Sequence, residues 1–261
     1  MDMIRRKWLT TLCGAGVGLA MVGCDLKSAK DEDEERAEKA GKESAGTEVT
    51  ATEDLMREHG VLRRCLMVYD ETVTKLRAGG AAVPPEALQK TATLFRTFGE
   101  EYHEKKLEEA RIFPAVQKAG GLAAAYIGVL NAQHLRGREI TDYILSNTNA
   151  AKITNAQELS RALEAFARMY HHHAAVEDTI IFPAWKQTMT KDELDKISDD
   201  FEEIEHQQFG KDGFEDAVKQ VADIEATLGL ADLGQFTAPP PPGTKETKAS
   251  PEKLDEKSQN K

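Results

Sequence analysis

The sequence predicts an all-α fold, an up-down four-helix bundle with one or two additional C-terminal helices. Composition is the first reason: the chain is rich in Ala, Glu and Lys, with 40% hydrophobic but only 6% aromatic residues, a balance that favours helix over sheet. The second is periodicity, because apolar residues recur at alternating steps of four and three, the stripe of a bundle helix. The third is punctuation, since Gly and Pro clusters separate the striped segments. At 261 residues there is chain for one good-sized core and no strong case for two domains.

The first helix carries Leu55, His59, Leu62, Leu66, Tyr69, Val73 and Leu76 on one stripe. Ala78-Gly79-Gly80 and Pro84-Pro85 close it, and Pro85 opens the second helix, expected to run to about Lys118. That helix brings Leu88, Phe95, Tyr102 and His103 inward and stops at Ala119-Gly120-Gly121. The third, from about Leu122 to Ser146, spaces Ile127, His134, Thr141 and Leu145 for one face. The fourth, from about Asn155 to Gln187, holds Leu159, Leu163, Phe166, Tyr170, His173, Glu177, Ile180 and Ala184 in unbroken alternation. A further stripe, Leu194, Ile197, Phe201 and Ile204, follows it.

Residues 1–23 are expected to be an export signal. A basic start (Arg5, Arg6, Lys7), an apolar stretch from Trp8 to Val22 and Met-Val-Gly before Cys24 read as a signal ending in a lipobox, with Cys24 as the lipidated residue. The apolar part is short for a membrane span. The twin arginines also fit a twin-arginine signal. The expected product is an exported lipoprotein, anchored through Cys24 in the bacterial cell envelope and facing the periplasm, with a plain cleaved signal as the alternative.

Residues 24–51 are almost wholly charged or small and read as a disordered tether, and residues 237–261 as a disordered Pro/Lys-rich tail. The bundle is therefore placed at 52–236. With Cys13 in the signal and Cys24 lipidated, Cys65 is the only thiol left, which excludes a disulfide framework. It lies about 240° around the helix from His59 and reads as a packing residue. Formal charge is −11, and loss of the basic signal makes the mature chain more acidic still. This argues against nucleic acid and anionic lipid as partners.

The chemistry lies in two matching phrases, YHEKKLEEARIFPAV (Tyr102 to Val116) and YHHHAAVEDTIIFPAW (Tyr170 to Trp185). Each runs from histidine through an acidic pair to Ile-Phe-Pro or Ile-Ile-Phe-Pro. Four successive helices each bring a metal-ligating group inward: His59, His103 with Glu108, His134, and His173 with Glu177. Burying such groups costs roughly a few kcal/mol each unless something satisfies them, and a metal satisfies all of them together. Imidazole mixed with carboxylate, without thiolate, suits iron, manganese or zinc. Two carboxylates with four or five histidines are enough for two ions, which makes a di-iron centre the leading expectation.

At these residues the chain resembles the hemerythrin-like proteins, the HHE cation-binding group of four-helix bundles with a non-haem di-iron site. The resemblance spans roughly residues 52–236, in EDLMREHGVLRR, YHEKKLEEARIFPAV, AQHLRGREIT, MYHHHAAVEDTIIFPAW and FEEIEHQQFGKDGFE. It implies His59, His103 with a nearby glutamate, His134, and His173 with Glu177 as ligands, the carboxylates bridging two irons. Three departures stand out. Glu108 is five residues from His103 where the family's step is four, about 140° round an ideal helix, so its use requires a π-bulge near Lys105–Leu107. On the third helix the second histidine of oxygen-carrying members is replaced by Arg138, leaving His206 as the candidate fifth histidine. In the run His171-His172-His173, only His173 has helical spacing to Glu177.

The expected function is binding or sensing of O2 or NO at this site, with Tyr69, Tyr102 or Tyr170 as hydrogen-bonding groups that decide the ligand. Other classes remain open. A di-iron oxidoreductase handling NO or peroxide would use the same ligands, but nothing in the sequence names a substrate pocket, a catalytic residue or a redox partner. Ferritin-like iron storage or delivery would use Glu100-x-x-His103 and Glu203-x-x-His206. A metal-free bundle would hold no metal.

Overall fold

Four helices close a ring in which each packs against the next. A computed structural model of the chain describes residues 49–79, 83–149 and 152–243; the export signal, Cys24, the tether through residue 48 and the tail beyond residue 243 lie outside them. Helix α1 (Ala51–Arg77) starts where the Thr50 side chain accepts from the Glu53 N–H at 3.3 Å. Glu53 and Asp54 in its first turn and Lys75 and Arg77 in its last complement the helix dipole. Ala51 is already buried, and its N–H reaches Ser198 Oγ at 2.9 Å. The folded unit therefore includes Thr50 and Ala51, which the sequence reading assigns to the tether.

Helix α2 is continuous but of mixed winding: Pro85–Leu94 is α, Phe95–Ile112 is π and Phe113–Ala119 is α again. Gly120, at φ 78°, ends it at the expected stop. A short turn, Gly121–Ala124, precedes α3 (Ile127–Asn147). Helix α4 begins at Ala156 under an Asn155 cap, runs as α to Val176, as π over Glu177–Ile181 and as α over Phe182–Lys186.

The π turn in α4 breaks the expected alternation. Ile180 and Ala184 are only half-buried, whereas Ile181, Phe182 and Trp185 are buried. Inserting a residue's worth of rotation after Glu177 shifts every later side chain round the axis. In both phrases the wide turn ends on the same hydrogen bond, since Phe113 N–H donates to Glu108 O and Phe182 N–H to Glu177 O. The next residue is Pro114 or Pro183, which has no N–H to give and whose ring crowds the carbonyl four residues back in an α-helix. A π turn moves that carbonyl away.

Cross-helix pairs fix the up-down order. Arg77 meets Glu164 while His59 meets Asp178, so α1 and α4 are antiparallel. Arg96 meets Asp142 while Glu109 meets His134, so α2 and α3 are too. The core centres on Phe166, whose ring packs against Tyr69, Phe95 and Tyr170 at centroid distances of 5.6, 4.9 and 4.7 Å. Cys65 is fully buried, and its thiol is pushed up to about 12 chiefly by that burial; it is a packing residue, as its place on the helix predicts.

Two further helices, α5 (Lys191–Phe209) and α6 (Gly213–Leu228), cover the outside of α1 and α2. Arg64 grips Glu225 through two hydrogen bonds of 2.8 and 2.5 Å, and Arg57 lies 4.2 Å over the Phe214 ring. Phe209 packs on Tyr102 and Phe98, and Trp185 stacks on Phe201. Among the described residues there is no strand, and no helix is long and apolar enough to cross a membrane.

Because Phe166 contacts three of the other large rings, Phe166→Ala should lower unfolding free energy by about 3–5 kcal/mol. Urea titration followed by circular dichroism measures this; a loss under about 1 kcal/mol would mean the core does not centre there.

Candidate metal centre

The two acidic phrases and the two single histidines converge in the middle of the ring. His59, His103, Glu108, His134, His173 and Glu177 are all at most 3% exposed. Their ligand atoms form two groups. Glu108, His134, His173 and Glu177 offer atoms within 4.8 Å of one another, as do His59, His103 and Glu108. Glu108 belongs to both. Glu177 also reaches across, its Oε2 lying 3.0 Å from His173 Nε2 and 3.5 Å from His59 Nε2.

The π winding of α2 brings His103 and Glu108 together. With hydrogen bonds closed between residues five apart, a five-residue step takes the place of the four-residue step of an α-helix, and Glu108 Oε1 comes within 3.3 Å of His103 Nε2. The bulge required near Lys105–Leu107 is part of a π stretch of 18 residues. In α4 the four-residue step from His173 to Glu177 is ordinary α-helix, and the π turn starts at Glu177.

All four histidines point Nε2 inward because Nδ1 is held from outside, and the holders follow the ring. Glu58 on α1 takes His103 Nδ1 of α2 at 2.6 Å, and Glu109 on α2 takes His134 Nδ1 of α3 at 2.9 Å. Gln133 on α3 takes His173 Nδ1 of α4 at 2.9 Å, and Asp178 on α4 takes His59 Nδ1 of α1 at 2.7 Å. Each helix thus supplies one histidine, α2 and α4 a glutamate as well, and next in sequence to one of its ligands the acceptor that orients its neighbour's histidine. Such partners fix the ring tautomer and strengthen the inward nitrogen as a ligand.

The centre calls for cations. All four oxygens of Glu108 and Glu177, and His103 Nε2, are buried without a hydrogen-bond partner, which costs several kcal/mol per charged group if nothing compensates. His134 Nε2 and His173 Nε2 face each other at 3.0 Å with both Nδ1 atoms engaged elsewhere, so two lone pairs oppose unless a cation or proton lies beside them. Burial, and then the charge of Glu108, holds Glu177 well above the usual carboxylate range. Burial pushes Glu108 the same way, but His103 and His134 more than offset it and hold it well below. Burial, then the neighbouring His134, drops His173 to about 3. A neutral imidazole is the metal-ligating form. These residues fit a metal.

Beyond the ligands lies a second polar layer that the sequence does not announce. Arg138 Nη2 reaches Glu104 Oε2 at 2.9 Å and Glu109 Oε1 at 2.5 Å, and Tyr170 donates its hydroxyl proton to Glu104 Oε1. Tyr102 donates to Glu58 at 3.0 Å, outside the ring, and the Tyr69 hydroxyl is buried without a hydrogen-bond partner. A cavity of about 10 Å³ adjoins the ligands and is lined by Tyr170 but not by Tyr69 or Tyr102.

His206 is not part of the centre. It is exposed on α5, a helix that packs outside α1 and α2, and Arg138 answers the question of what stands where a fifth histidine would. His171 and His172 are exposed as well, His171 lying 3.2 Å from Asp70. The Glu-x-x-His pairs do not assemble either. Glu203 is exposed beside His206, and Glu100 turns away to accept from Thr141 at 2.6 Å with Arg96 Nε at 2.9 Å.

Fold and site together define a helical-bundle protein with a buried histidine–carboxylate metal centre. Residues 50–185 match the family model described as Hemerythrin HHE cation binding domain, and the chain belongs to that family. Three similar proteins are named only as uncharacterised: Mb2018 of Mycobacterium bovis, and MT2051 and Rv1995 of two Mycobacterium tuberculosis strains. Each is 44% identical over 192 residues, covering 72% of this chain and 74% of its own. No solved structure matches the chain.

Two outcomes follow from the electrostatics. Glu108→Gln and Glu177→Gln should each weaken metal binding by about 10-fold or more, and Glu108→Gln should also lower the melting temperature of the metal-free chain, because it removes the carboxylate that His103 and His134 compensate. His206→Ala should change neither. Metal analysis and calorimetry read both effects, and a His206 variant that loses metal would restore it to the centre. Separately, burial pushes Glu100 up to about 7 from 4.5. The folded chain then keeps a proton that the unfolded chain releases, so stability falls as pH rises from about 4.5 to about 7 and levels off above. Glu100→Gln should flatten that slope and gain on the order of 1–3 kcal/mol above pH 7, measured by urea unfolding across pH; an unchanged slope would mean Glu100 is not its source.

Proposed function

We propose that this is a non-haem di-iron protein that binds or senses a small diatomic molecule, O2 or NO, inside the bundle. The observation that carries the reading is the pair of ligand groups sharing Glu108, whose residues other than His134 themselves line, with Tyr170 and Glu104, a space of only about 10 Å³. A space that size takes one molecule near the size of water and has no room for an organic substrate. Two sets of donors joined by a carboxylate suit two ions, and imidazole with carboxylate suits iron.

In this reading His59, His103, Glu108, His134, His173 and Glu177 would hold the irons. Iron there would supply a reducible centre with affinity for a small ligand. The chain's own residues do the rest. Glu58, Glu109, Gln133 and Asp178 keep the imidazoles aimed inward, and Leu62, Leu66 and Ala174 in the cavity wall exclude bulk water. We place the protein in the cell envelope, held by lipid on Cys24 and facing the periplasm; support for this comes from the sequence of residues 1–24 alone.

Purified full-length chain, reconstituted with ferrous iron without air, should retain close to two irons. Its near-ultraviolet absorption should be weak as loaded, rise on exposure to O2, bleach again on reduction and change separately on exposure to NO. A chain that retains no iron would overturn the reading, and irreversible reoxidation with consumption of O2 would favour the oxidoreductase. For location, Cys24→Ser should move the protein from the membrane to the soluble fraction; an unchanged distribution would remove the anchor.

A further inference from the structure

The cavity beside the ligands has an unusual wall. Its apolar part comes from Leu62 and Leu66 of α1 and Ala174 of α4, and its polar part, ligands apart, from Tyr170, Glu104 and Arg63. Tyr170 has one proton, and it goes to Glu104. Glu104 is gripped from its other side by Arg138, which also holds Glu109. The arrangement is built into α3 as well, since a Cβ on Gly137 would lie 2.4 Å from the Tyr170 hydroxyl oxygen; the glycine makes room for the phenol. Arg63, half out in solvent at the edge of the cavity, is drawn onto Asp178. The histidine Nδ1 protons are engaged outside the ring.

We infer that this wall makes the cavity hold a neutral diatomic and turn away an anion of the same size, with Tyr170 and Glu104 as the specificity-determining pair and Arg138 and Gly137 as their positioning residues. The inference rests on the reading of the centre as a small-ligand site. An anion leaving water needs donors to replace its hydration. Here it meets a phenol whose proton is committed and three carboxylates, Glu104, Glu108 and Glu177. A neutral diatomic forfeits little hydration and asks little of the wall. Attraction to bound cations acts on any anion at any such centre; the wall adds what is particular to this chain, discrimination by a lining in which the phenol is committed to Glu104 and Arg63 is drawn to Asp178.

NO and cyanide are size-matched diatomics, one neutral and one that binds as an anion, releasing its proton to solvent, and serve as probes on the iron-loaded full chain. Wild type should bind NO more tightly than cyanide. Glu104→Gln removes a negative charge from the wall and leaves the phenol proton on a weaker, neutral acceptor, so cyanide affinity should rise about 10-fold or more while NO stays within about threefold. Gly137→Ala, one turn along α3 from His134, should displace the Tyr170 hydroxyl from Glu104 and shift the preference the same way by a smaller factor. Iron content and helical circular dichroism accompany each measurement. Iron-loaded variants whose cyanide-to-NO preference stays within about twofold of wild type would overturn the inference, as would iron-loaded wild type that binds cyanide as tightly as NO. Wild type that holds no iron would defeat the reading of the centre itself, and the inference with it.

Discussion

Two carboxylates with no hydrogen-bond partner, Glu108 and Glu177, sit fully buried at the centre of the bundle, and the surrounding architecture is organised by their need for compensating charge. Four imidazoles face them, and each is aimed by an acceptor on the preceding helix of the ring. Holding a histidine by Nδ1 leaves Nε2 as a ligand and fixes where it points. Because every helix is both donor of a ligand and holder of its neighbour's, the centre exists only when all four helices are docked. Metal binding and bundle assembly are therefore coupled.

The winding of the helices serves the same end. An α-helix places residues four apart on one face, which suits His173 and Glu177; it would turn Glu108 away from His103. The π stretch of α2 corrects this, and in both phrases the wide turn runs up to Phe-Pro, with the glutamate carbonyl accepting from the phenylalanine N–H. A π turn carries a conformational cost and is found mostly at functional sites. In this chain the proline that follows makes the α alternative costly too, so local chemistry and the needs of the centre agree.

Arg138 shows how a single position can change the character of the site. Four residues along α3 from His134, it brings a fixed cation where another ligand would stand, and it ties together Glu109, which aims His134, and Glu104, which holds Tyr170. The outer pair of helices, α5 and α6, lies beyond the matched family region and packs over the Glu58 and Tyr102 side of the ring through Phe209, Phe214 and the Arg64–Glu225 pair. These contacts brace α1 against α2, the helices whose spacing sets the distance between His59 and His103.

The four bundle helices, their approximate limits and the six inward residues were legible in the sequence, because a buried histidine or carboxylate on an apolar stripe is visible in the chain itself and needs no partner to be noticed. The misalignment of His103 and Glu108 was legible as well, and with it the demand for a π turn. What the sequence left open depended on which residues meet across helices. Glu58, Glu109, Gln133 and Asp178 each stand next to a ligand in the chain, yet each serves the histidine of another helix, a pairing that spacing along one helix does not contain. His206 looked eligible by composition and proved to face solvent, since the path of α5 outside the ring is set by its packing on α1 and α2. The chain of hydrogen bonds from Arg138 to Glu104 and from Tyr170 to Glu104 joins three helices, and the small volume beside it is a property of their docking. Periodicity along the chain determines which face of a helix is buried; only the tertiary structure decides what that face meets.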